Sequence, residues 1–195
     1  MKTQQPLTFE DYLAYDDGTE HRYELRAGEL VALPPGSESN DFIANYLFLV
    51  FANAKLVSPR LIRTHTCEIQ VPVLRQGDVM NRFPDLVVLR EEHLALMQKR
   101  LTILLDMPPP VLVVEVISPG RGNRNRDLNR KRDQYCQRGI PEYWLIDPEH
   151  RTITSLWLEF DHYQEVGQFK GSDVIISPTF PTLQLTPEQV FQAES

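Results

Sequence analysis

Cysteine is scarce in this chain: two among 195 residues, Cys67 and Cys136. Neither they nor His21, His93, His150 and His162 stand at metal-ligand spacing, which excludes a zinc finger or ribbon. The two thiols read as reduced cysteines, one on a strand and one on a helix. Glycine is sparse too, at nine. There is no phosphate-cradling glycine loop and no nucleophile elbow. Long apolar runs are missing, and nothing approaches the roughly 20 residues of a membrane-spanning helix. Met1-Lys2-Thr3-Gln4-Gln5 lacks the apolar core of a signal peptide, so the expectation is a cytoplasmic protein with no membrane partner. Positive charge is in deficit: 27 Asp and Glu against 20 Lys and Arg leave −7, which argues against bulk electrostatic attraction to nucleic acid. Internal repeats and low-complexity segments are absent. The length suits a single domain, 1–195, with a substantial core.

What charge there is has been sorted. Between Arg121 and Arg138 lie seven cations (Arg121, Arg124, Arg126, Arg130, Lys131, Arg132, Arg138) and two acids, Asp127 and Asp133. That stretch carries +5, so the rest of the chain carries −12. Such a basic stretch suits an anionic ligand, with Arg121, Arg124, Arg126 and Arg130 as the nucleic-acid-binding candidates. A solvated helix face is the plainer meaning of the same run.

Thr8-Phe9-Glu10-Asp11 has the spacing of a capped helix start. The alternation at 22–26 and 29–33 predicts a hairpin turning at Gly28. Apolar residues at helical spacing predict a core helix from about Ser39 to Leu56. Leu61 to Leu74 reads as one strand, and Asp85 to Arg90 as the next. Met107-Pro108-Pro109-Pro110 forces an extended entry to a strand at 111–117. A helix is expected over 126–138, capped by Gly139 and stopped by Pro141. Tyr143 to Asp147 is a further strand, and 152–169 a last hairpin. After it an irregular tail precedes a short helix at 187–191. A strand, helix and strand over 111–147 favours a parallel crossover, so the expected fold is α/β, a mixed sheet flanked by helices.

Two carboxylates break the apolar pattern. Asp85 opens the run Leu86-Val87-Val88-Leu89, and Glu115 sits inside Val111-Leu112-Val113-Val114-Glu115-Val116-Ile117. A carboxylate in a buried strand is costly unless something pairs with it. Two on neighbouring strands, with a cationic helix following, supply oxygen ligands for a hard cation such as Mg²⁺ or Mn²⁺. Asp85 and Glu115 are therefore the candidate metal ligands, with the carbonyl of Val116 as a further oxygen. Lys131 is the candidate catalytic cation. Asp127, Lys131 and Tyr135 stand four apart on one helix face, so Lys131 either points at the site or pairs with Asp127 on the surface. Tyr135 either reaches the site by its hydroxyl or packs on the sheet. Gln70 either lines the cleft or is half exposed on its strand, and His65 reads as an ordinary strand residue.

In order, Pro84-Asp85, Val114-Glu115-Val116-Ile117-Ser118-Pro119, Arg126-Asp127, Lys131, Tyr135 and Gly139-Ile140-Pro141-Glu142-Tyr143-Trp144-Leu145-Ile146-Asp147-Pro148 resemble the Uma-type, restriction-endonuclease-like family abundant in cyanobacteria. Tyr23-Glu24-Leu25 and Gly28-Glu29-Leu30 fit as well. The resemblance covers nearly the whole chain. It implies the PD-(D/E)XK nuclease fold and a Mg²⁺-dependent endonuclease acting on DNA. Asp85 and Glu115 would be metal ligands, Lys131 the catalytic lysine, and Glu24 an accessory acid. In the general nuclease pattern the lysine stands two residues after the acid; here that residue is Ile117, and the lysine moves to the following helix. Family members often carry a histidine before the long helix, where this chain reads Ser39-Asn40-Asp41.

Three function classes follow. The first is a metal-dependent endonuclease, most simply a homodimer so that two sites meet two DNA strands. The second is a nuclease fold that binds nucleic acid or protein without cutting. The third is a metal-free hydrolase with paired carboxylates, ranked last because the basic helix favours an anionic substrate.

Overall fold

The structure, a computed structural model, describes residues 5–19, 21–117 and 124–193, without the side chains of 124–127. Helix α1 (Phe9–Leu13) starts at the expected capping box, in which Thr8 and Asp11 bond each other's main chain. Strands β1 (Tyr23–Arg26) and β2 (Glu29–Ala32) form the expected hairpin. Its turn requires glycine: Gly28 has φ +82°, and a Cβ there would strike Pro6. Helix α2 (Glu38–Asn53), capped by Ser37, buries Ile43, Leu47 and Phe51.

The stretch expected as one strand at 61–74 is two. A 3₁₀ turn (Pro59–Leu61) leads into β3 (Ile62–Thr64), and β4 (Glu68–Gln70) joins a different sheet. The break falls at His65, whose φ of +55° is left-handed. A non-glycine residue there reverses the alternation on which a continuous strand depends. Beyond it come β5 (Asn81–Arg82), β6 (Leu86–Val88), α3 (His93–Leu96), β7 (Thr102–Ile103) and β8 (Leu112–Val116). Then follow α4 (Arg124–Gln137), β9 (Glu142–Asp147), β10 (Thr152–Glu159), β11 (His162–Lys170) and α5 (Pro187–Gln192).

The main sheet runs β11-β10-β9-β8-β6-β3. Strand β8 is parallel to β9 and antiparallel to β6, so the sheet is mixed and the expected parallel crossover through α4 is present. A smaller sheet runs β5-β4-β7. Alternation along β8 divides the core. Leu112, Val114 and Val116 pack with Trp144, α2 and α5 on one face. Val113 packs on the other with Tyr143, Tyr135 of α4, and Ile69 and Ile103 of the small sheet. Glu115 is two residues from Val113 and emerges on the α4 face. Among the described residues no helix is long and apolar enough to cross a membrane.

Candidate active site

The pairing of β6 with β8 sets Leu86 opposite Val114. One further step of that register sets Asp85 opposite Glu115, and residues directly opposite in an antiparallel pair project from the same face. Asp85 is fixed by its own main-chain contact: Oδ2 accepts the Val116 N–H at 2.6 Å. Pro84 before it cannot donate a ladder hydrogen bond, and the Val116 carbonyl takes its donor from a side chain instead, Asn40 Nδ2.

Glu115 is buried, and both of its oxygens meet α4. Lys131 Nζ donates to Oε2 at 2.8 Å and the Tyr135 hydroxyl to Oε1 at 2.6 Å. The four-residue spacing of Lys131 and Tyr135 thus resolves toward the site for both. Burial raises the pKa of Glu115, Lys131 opposes that rise, and the charge of Asp85 adds to it. Two carboxyl groups therefore stand side by side in a partly dry setting, with the Lys131 ammonium on one of them.

Three residues to which the sequence reading gave no role in the site, Asn40, Asp41 and His65, complete the surroundings. Asn40, in the first turn of α2, donates Nδ2 to the Val116 carbonyl at 3.0 Å. The main chain of Val116 is therefore held on both sides, by Asp85 at its N–H and Asn40 at its oxygen. His65 lies between two carboxylates, Nδ1 at 3.3 Å from Asp85 Oδ1 and Nε2 at 3.4 Å from Asp41 Oδ1. Its N–H donates to the Asp85 carbonyl at 3.0 Å, and its own carbonyl accepts from Arg22. Far from being an ordinary strand position, His65 is the corner where the chain leaves the main sheet. No local sequence signal marks this, because Asp41, His65 and Asp85 meet only through the sheet and α2.

Other candidates occupy different places. Glu24 is buried on β1 and pairs with Arg82 at 3.3 Å. Arg82 in turn donates to Gln134 of α4 at 2.9 and 3.1 Å. This cluster borders the site, since the charge of Arg82 acts on the Tyr135 hydroxyl. Gln70 accepts the Leu105 N–H at 3.0 Å and anchors a loop. Arg130 lies 3.4 Å from Asp78. Arg121 and the side chains of Arg124 and Arg126 fall outside the described residues. The motif residue Glu142 is wholly buried and accepts from Trp144 Nε1, Ser177 Oγ and the Thr179 N–H at 2.6, 3.1 and 2.8 Å. Its job is to tie the C-terminal tail to β9. Both cysteines are free.

No group of three or more His, Cys, Asp or Glu with the spacing of a metal site occurs among the described residues. The two converging carboxylates are oxygen donors, which match a hard cation that keeps several of its waters. A cation held there would offset the charge that burial and Asp85 disfavour on Glu115.

The profile of the Uma2 family, described as "Putative restriction endonuclease", matches residues 9–188. Among solved structures, the chain is similar to one described as a "putative nuclease belonging to DUF820" from Anabaena variabilis. The TM-score is 0.68 at 18% identity, over 96% of this chain and 99% of that one; at that identity the likeness speaks for the fold. No curated protein matches the chain. With the family profile spanning from α1 to α5, and with Asp85, Glu115 and Lys131 inside the matched region, the chain belongs to the Uma2 family of restriction-endonuclease-like proteins.

Proposed function

We propose that the protein is a metal-dependent endonuclease that hydrolyses phosphodiester bonds in DNA. The observation that carries this reading is the register that sets Asp85 beside Glu115, with Lys131 on the outer oxygen of Glu115. Asp85 and Glu115 would hold Mg²⁺ or Mn²⁺, and the second lone pair of the Val116 carbonyl, beyond the one Asn40 engages, is the further oxygen. A bound divalent cation supplies Lewis acidity toward the phosphoryl oxygen and acidifies a water. Lys131 offsets charge that develops on the phosphoryl group. Tyr135 holds Glu115 so that its second oxygen stays aimed outward, and Asn40 fixes the strand end. The basic residues of 121–130 would meet the DNA backbone, with a homodimer bringing two sites to a duplex.

The test is cleavage of plasmid and single-stranded DNA with Mg²⁺ and with Mn²⁺, wild type against Glu115→Ala. Cleavage by the wild type that the substitution abolishes is the expected result. Equal cleavage by both proteins overturns the site. Wild-type protein that neither cuts nor binds Mn²⁺ overturns the reading as a whole and favours a nuclease scaffold that binds without cutting.

A further inference from the structure

On the far side of the His65 corner from the carboxylates, the fold forms an open cavity of about 270 Å³ that the proposed chemistry does not use. Tyr15, Tyr23 and Phe83 give it aromatic walls, and Asp16, Asp17 and Arg22 line it as well. It adjoins the site through two short connections. Phe83 is followed by Pro84 and Asp85, and Arg22 reaches from the cavity wall to the carbonyl of His65. Arg22 also lies over the Phe83 ring, its guanidinium carbon 5.7 Å from the centroid. One residue thus braces both the cavity wall and the corner that contacts Asp85.

We infer that this cavity receives one unpaired nucleobase of the substrate, from a nucleotide next to the bond cut at Asp85 and Glu115; the inference rests on the nuclease reading above. Three features select this occupant. The volume lies just below the range of about 300–1,000 Å³ typical of small-molecule sites, room for one flat ring system and not for two nucleotides. Aromatic walls favour a planar group, and stacking on them tolerates any base. The lining charges nearly cancel, with Asp16, Asp17 and Glu68 against Arg22 and Arg100, and Glu68 pairs with Arg100 at 3.3 Å. A phosphate needs a net cationic cradle, so the base enters and the backbone stays outside.

The exposed carboxylates of the lining set the preference among bases. Asp16 spends Oδ1 on the Gly18 N–H at 2.7 Å, which leaves acceptor capacity on the other oxygen. Asp17 is held to a pKa of about 2 by the hydroxyls of Thr19 and Tyr23, and stays ionised. Acceptors read an exocyclic amine, which cytosine, adenine and guanine carry and thymine lacks. The nuclease would therefore favour single-stranded or distorted DNA, where a base leaves the stack at little cost.

The experiment is fluorescence anisotropy with single-stranded oligonucleotides that carry cytosine, thymine or an abasic site at successive positions. The probes meet wild-type protein, Tyr15→Ala and Asp16→Asn. Both substitutions are at exposed positions and should leave the melting temperature unchanged. At one position, cytosine should bind about tenfold more tightly than the abasic site, with thymine weaker than cytosine. Tyr15→Ala should erase the gain over the abasic site, and Asp16→Asn the difference between cytosine and thymine. If wild type binds and cuts while abasic probes bind as tightly as cytosine at every position, the cavity is not a base site and the nuclease stands. If wild type binds none of the oligonucleotides, cavity and nuclease readings fall together.

Discussion

Lys131 Nζ lies 2.8 Å from Glu115 Oε2, although the two stand sixteen positions apart in the chain. Strand β8 and helix α4 meet at this bond. In this chain the lysine reaches the acid from the following helix and not from the same strand, where the residue two past Glu115 is Ile117.

Lys131→Met tests that placement. The thioether keeps the length of the stem and removes the charge. Metal affinity should persist, while the cleavage rate at saturating metal falls by roughly 10²–10³-fold, the usual loss for one electrostatic stabiliser. Single-turnover cleavage and Mn²⁺ titration measure the two quantities separately. A rate within twofold of wild type would remove Lys131 from the chemistry.

The raised pKa of Glu115 has a signed consequence for stability. The native state holds this proton more tightly than the unfolded chain does. The group's stabilising contribution is therefore full below the unfolded pKa, about 4, and is lost as pH rises through the folded value. Glu115→Gln removes the titration. The stability of wild type relative to that variant should decline as pH rises from about 4 toward neutrality, followed by urea unfolding without metal. A difference that stays level, or grows, contradicts burial as the dominant influence on this carboxylate.

His65 tests the corner. With Asp41 on one side and Asp85 on the other, its ring limits how the Asp85 carboxylate turns. His65→Ala should weaken Mn²⁺ binding by about 10–100-fold, as loss of a residue behind a metal ligand does, and His65→Asn should restore part of it. Isothermal titration decides; unchanged affinity in the alanine variant makes His65 a purely local turn residue.

Glu24 and Arg82 separate architecture from chemistry. Both are buried, so Arg82→Met strands a carboxylate and should destabilise the fold by about 3–5 kcal/mol. If Glu24 serves only this pair, Glu24→Gln with Arg82→Met should recover stability and leave Mn²⁺ affinity near wild type. A double variant that is stable but no longer binds the metal would restore Glu24 to the site as an accessory acid.

Much of the frame was readable in the linear sequence, because it rests on local rules. Thr8 and Asp11, the glycine turn at Gly28, the period of α2 and the stop at Gly139-Ile140-Pro141 depend on a few neighbouring residues. Asp85 and Glu115 stood out because a charge inside an apolar strand run has few reasons to be there. The i, i+4 relation of Lys131 and Tyr135 put them on one face, but whether that face met Glu115 or water was open. Only the packing of α4 on β8 decided it. Tertiary structure likewise decided that 61–74 breaks at His65, that Asn40 and Asp41 at the start of α2 reach the strand ends, and that Glu24 pairs with Arg82. Such contacts join residues tens of positions apart, and their energies depend on burial and register. A one-dimensional pattern encodes which face of an element is apolar; it does not encode which other element will cover that face.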